Sequence, residues 1–342
     1  MSTAFNVERF LNSLPIDTRY IDLSGKNLTS VPSLSRFTQL KHLNLNNNNL
    51  TELPEFSEYL WDLQAHSNLL THLPRLPETL YRLTISDNQI TELPPLPNSL
   101  SILEVSYNPL QSLPRLPDNL RQLNCDGTLI TEMPELPLGL SYLSVSENDH
   151  LTSLPNLPND LDDFVCNSNP LLTSLPPLPT ELSGLSCHYC AFTELPPLPP
   201  NLRTLYCEDG ALTKIPTLPE STKGVLISNT AVWAMRNIPD GVVEVFLELY
   251  GTPLYEEVLK SDNPDENGGD FLRARLQTLN RFRELYYSLK FKRQLRDLLW
   301  MRIRLPRIER VNHPDELRRA LIPEEESEDE GSLEDVMETF GM

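Results

Sequence analysis

The chain has 342 residues, 39% of them hydrophobic, with 31 prolines and only 12 glycines. Its formal net charge of −20 argues against attraction of the whole protein to nucleic acid or to an acidic membrane. No stretch reaches the roughly 18 consecutive apolar residues of a membrane-spanning helix.

The N-terminal residues, Met1 to Leu11, lack a basic region followed by an apolar run, so no secretory signal peptide is expected. Residues 5–13 read as a short amphipathic helix with Phe5, Val7, Phe10 and Leu11 on its apolar side. A repeat array must cover the open core at its ends, and residues 1–17 are expected to form that cap.

A ladder of leucines then runs through Leu40, Leu60, Leu80, Leu100, Leu120, Leu140, Leu161, Leu182 and Leu202. The step is 20 residues, rising to 21 at Leu140–Leu161 and Leu161–Leu182. A short fixed period is the signature of a solenoid, whose usual task is binding. One unit reads Leu80, Leu83, Ile85, Asn88, Ile90, Leu93, Pro94, Leu96, Pro97. Apolar residues at its fourth and sixth positions have period 2 and predict a short strand with one face inward. The proline-rich return leaves no room for a full helix and is expected to be extended, polyproline-like backbone. Asn48, Asn68, Asn88, Asn108 and Asn148 are expected to turn inward and bond backbone groups of the next turn, because a buried amide needs partners.

These residues resemble the leucine-rich repeat family, and the Leu-Pro-x-Leu-Pro return resembles the short-repeat class of effectors that pathogenic bacteria inject into host cells. The resemblance covers residues 18–239, about eleven repeats. It implies an α/β repeat solenoid: a horseshoe with short parallel strands on the concave face and an extended convex side. The implied function is non-enzymatic recognition of a protein, in a host cell. The partner-reading side chains are the variable ones that flank the apolar pair. Trp61, His66, Arg82, Tyr107, Tyr142, His188, Tyr189, Tyr206 and Glu208 are expected on the concave face, where aromatics among polar groups suit a protein interface.

Cys125, Cys166, Cys187 and Cys207 all fall at the sixth repeat position, which elsewhere holds Leu45, Ile85, Val105 or Val145. They read as small core hydrophobes. Cys190 falls at the Asn position, where a thiol can stand in as donor. Cys187-His-Tyr-Cys190 spells Cys-x-x-Cys, but a second pair is missing and no metal site is expected. Without an export signal, disulfides are not expected either. Some bacterial relatives of the repeat class carry a ubiquitin-ligase domain with a Cys-x-Asp nucleophile. Cys207-Glu208-Asp209 matches that string but sits at a core position, where a thiol is a poor nucleophile. The six histidines lack metal-ligand spacing and no phosphate-cradling glycine loop is present. Neither an enzyme nor a cofactor is expected.

The repeat pattern decays after Pro219, with Thr222, Val225, Ile227, Val232 and Met235 in a last degenerate turn. Residues 240–270 read as an acidic connector in which Val242 to Leu249 form a strand or a short helix. Residues 271–320 hold 14 Lys and Arg against 5 Asp and Glu, and 271–322 read as a basic helical module. Its candidate basic patch is Arg281, Arg283, Lys290, Lys292, Arg293 and Arg296. The last twenty residues contain nine Asp and Glu and no base, so 323–342 are expected to be mostly disordered. Arg281 to Leu295, Asn312-His-Pro314 and Leu333 to Phe340 together resemble the C-terminal segment of proteins from giant DNA viruses of amoebae. That resemblance implies a viral protein located in the host cytoplasm or in the virion. Three roles for the basic helix stay open: capping the solenoid, gripping nucleic acid or a virion component, or docking on a partner protein.

Overall fold

The computed structural model describes residues 5–227 and the backbone of residues 246–248. The chain divides into two compact units, Met1–Gln277 and Thr278–Met342, and every described residue lies in the first. The expected basic module, its patch from Arg281 to Arg296 and the acidic tail lie outside the described residues, as does all of the connector except 246–248.

The first unit opens with helix α1 (Val7–Ser13), capped by the Asn6 side chain, which accepts from the Arg9 amide at 2.8 Å. Leu11 is the buried residue of this helix. The Leu11 carbonyl accepts from the Arg36 guanidinium, and Lys26 Nζ lies 5.4 Å from the centre of the Phe5 ring. These contacts fasten α1 to the first turns.

Strands of three residues follow: β1 (Tyr20–Asp22), β2 (His42–Asn44), β3 (Asp62–Gln64), β4 (Arg82–Thr84), β5 (Ile102–Glu104) and β6 (Gln122–Asn124). The series continues with β7 (Tyr142–Ser144), β8 (Asp163–Val165), β9 (Gly184–Ser186), β10 (Thr204–Tyr206), β11 (Gly224–Leu226) and β12 (Phe246–Glu248). Among the described residues they form one parallel sheet in sequential order, each strand paired with the next. The register is strict: Asp62 faces Arg82, which faces Ile102, which faces Gln122. Strand β12 pairs with β11 through Gly224 and Phe246, so Val242 to Leu249 contains a strand and the sheet continues past residue 239.

The core follows from the ladder. All nine ladder leucines are fully buried, as are the strand centres Leu63, Leu83, Leu103, Leu123, Leu143, Phe164 and Leu205. Each turn thus buries its apolar residues only against its neighbours, and a fully buried leucine contributes about 1.5–3 kcal/mol. Among the described residues the return stretches hold no helix or extended strand, only single bridge residues such as Glu132 and Ser153, which pair with each other.

The longer turns take up their extra residue away from the sheet. Asn148 and Leu151 close a tight turn, Leu151 N–H donating to the Asn148 carbonyl at 3.1 Å, and Leu172 does the same to Asn169 at 3.2 Å. Tyr142 still faces Asp163, and Asp163 faces Gly184. Insertion after the asparagine therefore leaves the register of the strands intact.

The asparagine column is built as a buried amide demands, with one correction of direction. Asn68 Nδ2 donates to the Leu45 and Ala65 carbonyls at 3.0 and 3.2 Å, and its Oδ1 accepts from Leu50 N–H at 3.1 Å. Leu45 and Leu50 belong to the preceding turn, not the next one. Asn48, Asn88 and Asn108 repeat the pattern. Asn169 joins the column one register step on, donating to Val145 and Cys166. Cys190 substitutes for asparagine by donating its thiol to the Cys166 carbonyl at 3.0 Å. Among the described residues no helix is long and apolar enough to cross a membrane.

Candidate protein-binding face

The strands alternate inward and outward, so one sheet face is lined by the first and third residue of each strand. Two positions after each strand comes a second outward row: Asn46, His66, Ser86, Ser106, Asp126, Ser146, Asn167, His188 and Glu208. The next residue turns the chain away from the sheet with positive φ, at Asn47, Ser67, Asp87, Tyr107, Glu147, Ser168, Tyr189 and Asp209, and at Gly127. Left-handed backbone at Tyr107 and Tyr189 is uncommon for large side chains. Both stand at the rim of the face and are strongly exposed.

At the N-terminal end four aromatic rings run across four consecutive turns. Tyr20 and His42 lie 6.4 Å apart, His42 meets Trp61 edge-on at 5.4 Å, and Trp61 stacks on Tyr81 at 4.6 Å with planes 3° apart. Trp61 remains 41% exposed and Tyr20 58%, so the row is open to a partner. Of these four the sequence reading singles out Trp61 alone. Tyr81 and His42 could have been found from spacing: Trp61 and Tyr81 precede their strands at the same repeat position, and His42 shares the first strand position with Tyr20. Beside the row, His42 Nδ1 and Asp62 Oδ2 are 3.4 Å apart, and Gln64 Nε2 donates to the same oxygen at 3.1 Å. Asp62 Oδ1 and Arg82 Nε, on residues paired in register, are buried without a hydrogen-bond partner.

In the middle of the face Tyr107 donates its hydroxyl to Glu147 Oε1 at 3.2 Å. Its ring covers Gly127, where a Cβ would come within 2.5 Å of it. Burial, and then the Glu147 carboxylate, push the Tyr107 phenol above its ordinary value. Burial does the same to Tyr142, joined by Asp126, Asp163 and Glu104 and opposed by a hydrogen bond with Ser144. Asp126 is also raised by burial, although the Ser144 hydroxyl and the Ser146 amide donate to it at 2.7 and 2.6 Å. Asp163 is raised by burial and by Asp162. This half of the face is electronegative.

At the C-terminal end His188, Tyr189, Tyr206 and Glu208 come together. The His188 and Tyr206 rings are nearly parallel, centres 6.5 Å apart. Tyr189 has its phenol raised by a hydrogen bond to Asp209.

The second outward row does structural work that the sequence reading missed. Six of its side chains accept from the backbone amide of the same position one turn on, among them Asp126 from Ser146. Asn46 accepts from His66 at 2.9 Å, Ser106 from Asp126 at 3.1 Å and Ser146 from Asn167 at 3.1 Å. Asn167 accepts from His188 at 2.9 Å and His188 Nδ1 from Glu208 at 3.0 Å. The signal was present: Asn, Ser, Asp or His, all with an acceptor close to the backbone, recur at that position. His188 is therefore a strut as well as a surface residue. Its Nδ1 also lies 3.4 Å from Glu208 Oε2, but one nitrogen cannot accept from the amide and donate to the carboxylate together. The shorter contact and the lowered basicity of the ring both fit the neutral form.

Burial holds His188 below the ordinary value of 6.5, with Glu208 and Asp209 pulling it partly back. The folded chain then binds the proton less well than the unfolded chain. The contribution to stability is full above the unfolded value and is lost as pH falls through it toward the folded one. In urea titrations between about pH 7.5 and 5.5, His188→Gln is expected to show a shallower loss of stability than the parent chain. Parallel curves would refute the buried neutral imidazole.

Cys207 is buried at 3% exposure with its sulfur toward Cys187, so the Cys-x-Asp string presents no open nucleophile. Among the described residues no three His, Cys, Asp or Glu side chains group as a metal site.

No protein-family model matches the chain, and no curated protein sequence matches it. Solved structures do. YopM from Yersinia enterocolitica is 29% identical with a TM-score of 0.56, the match covering 70% of this chain and 61% of that one. YopM from Yersinia pestis, described as a leucine-rich effector protein, is 28% identical with a TM-score of 0.64, covering 75% of this chain and 71% of that one. This chain thus spans less than two thirds of the first of them. A chain from the octameric complex of latrophilin 3, Unc5D and the leucine-rich repeat protein FLRT2 shares the fold at 19% identity and a TM-score of 0.53. Repeat period, parallel register, asparagine column and these likenesses agree: the chain folds as a leucine-rich repeat solenoid and is similar to leucine-rich repeat effectors of Yersinia.

Proposed function

We propose that the chain is a non-enzymatic interaction protein that reads a protein partner with the outward face of its sheet, and that the partner belongs to a host cell. The observation that carries this reading is the aromatic row Tyr20, His42, Trp61 and Tyr81, in which Tyr20 and Trp61 are exposed, continued along the face by the exposed Tyr107 and Tyr189 and the half-buried Tyr142 and Tyr206. Tyr and Trp bring large contact area with few rotatable bonds and are enriched where binding energy concentrates. The carboxylates around Tyr107, Tyr142 and Tyr189 favour a partner surface with lysine or arginine. The likeness to Yersinia effectors supports the host-directed part.

The test is affinity capture from nuclease-treated host-cell lysate by the full chain and by a variant with Trp61, Tyr107, Tyr142, Tyr189 and Tyr206 all changed to alanine. The variant is expected to keep the parent's circular dichroism and lose the partner. Trp61→Ala alone is expected to weaken binding about 30-fold, as for an interfacial anchor of about 2 kcal/mol. A folded quintuple variant that retains every partner would end the proposal.

A further inference from the structure

The core thiols of β9 and β10 are arranged for a reaction that the interaction reading does not use. Cys187 and Cys207 follow their strands at equivalent positions in consecutive turns, and their sulfurs lie 2.6 Å apart. Both are free thiols in the structure and almost fully buried. Neighbouring strands are about 4.8 Å apart, inside the roughly 4.4–6.8 Å Cα range that a disulfide spans. Closing the bond asks the sulfurs to approach by only about 0.6 Å, to the usual S–S length near 2.05 Å. Of the remaining cysteines, Cys190 donates to the Cys166 carbonyl at 3.0 Å and also meets the Cys166 side chain, while Cys125 donates to the Ser144 carbonyl at 3.6 Å; only Cys187 and Cys207 have their two sulfurs at 2.6 Å.

We propose that Cys187 and Cys207 are a redox modification site, oxidised by a hydroperoxide to a disulfide that staples two consecutive turns of the solenoid. One thiolate attacks the peroxide O–O bond, becoming a sulfenic acid as hydroxide leaves and takes up the thiol proton to give water. The second sulfur displaces the sulfenic oxygen, which departs as a second water. Two thiols and one hydrogen peroxide become one disulfide and two waters. Burial keeps Cys187 protonated well past the ordinary thiol range, so the reaction is slow and needs a small, uncharged oxidant able to enter the core. The staple would close a loop of one repeat and hold His188 and Tyr206, neighbours of the two cysteines in sequence, at the C-terminal end of the face.

The full chain is treated with hydrogen peroxide, quenched in acid, denatured, alkylated and mapped without reduction. The expected product is two hydrogen atoms lighter, carries a Cys187–Cys207 linked peptide and three alkylated cysteines, and unfolds at higher urea concentration than the reduced chain. Cys207→Val, which places there the residue found at Val105 and Val145, is expected to fold and to give no linked peptide. Five alkylatable cysteines after oxidation, a link between any other pair, isolated sulfinic acid, or a linked product from Cys207→Val would each overturn the assignment.

Discussion

Asn108→Ala is expected to destabilise the folded chain by about 3–5 kcal/mol, since each buried polar group left unpaired costs about 1–3 kcal/mol. Asn108 is 1% exposed. Its Oδ1 accepts from Ile90 N–H at 3.0 Å, and its Nδ2 donates to the Ile85, Val105 and Ser106 carbonyls at 3.0, 3.0 and 3.2 Å. Alanine removes all four bonds and admits no side chain to replace them. The break falls between two central turns, where each turn is stabilised only by its neighbours. Position 128 shows what a milder change looks like: Thr128 donates to Asn148 Oδ1 at 2.5 Å and lies 3.4 Å from the Cys125 carbonyl. Asn108→Thr is therefore expected to cost less than half as much as Asn108→Ala. Urea unfolding followed by circular dichroism reads both. A loss below about 1 kcal/mol for Asn108→Ala, no more than one ordinary hydrogen bond, would show that the column is not what ties the turns together.

The repeat register was legible because the chain repeats one physical solution many times. Leu83 and Ile85 had to face one side of a strand, and Asn88 had to find backbone partners once buried. The direction of those bonds was not legible, because a carbonyl of the turn before and one of the turn after are equally good acceptors on paper. The outward rows were read only in part. Trp61 stood out as a rare residue, whereas its stacking partner Tyr81 looked like any tyrosine until the sheet brought them to 4.6 Å. Position 188 was read as surface chemistry, and its bond to the Glu208 amide depends on side-chain rotation that no spacing reveals. The proximity of Cys187 and Cys207 was implicit in their shared repeat position. A shared position nonetheless states only that two residues stack, and rotation about χ1 decides whether their sulfurs meet.

Phe164→Ala is expected to cost about 3–5 kcal/mol, the range for deleting a buried aromatic side chain. Phe164 is fully buried at the centre of β8 and pairs in register with Leu143 and Leu185, themselves 0% and 1% exposed. Alanine there opens a cavity in a turn whose core packs only against its two neighbours, so relaxation has to come from those turns and the sheet itself. Asp163 and Val165 flank Phe164 on the outward face, and Asp163 pairs with Tyr142, so a collapsing strand would also disturb a proposed anchor. Phe164→Leu should be tolerated at about 1 kcal/mol, because leucine already fills this position in both adjacent turns and size is the main thing a core demands. The pair of variants separates two explanations of the residue. A large loss for alanine with a small one for leucine means that Phe164 serves as volume in an ordinary leucine position. Equal losses would mean that the turn ending in the extra residue after Asn169 requires the aromatic ring itself.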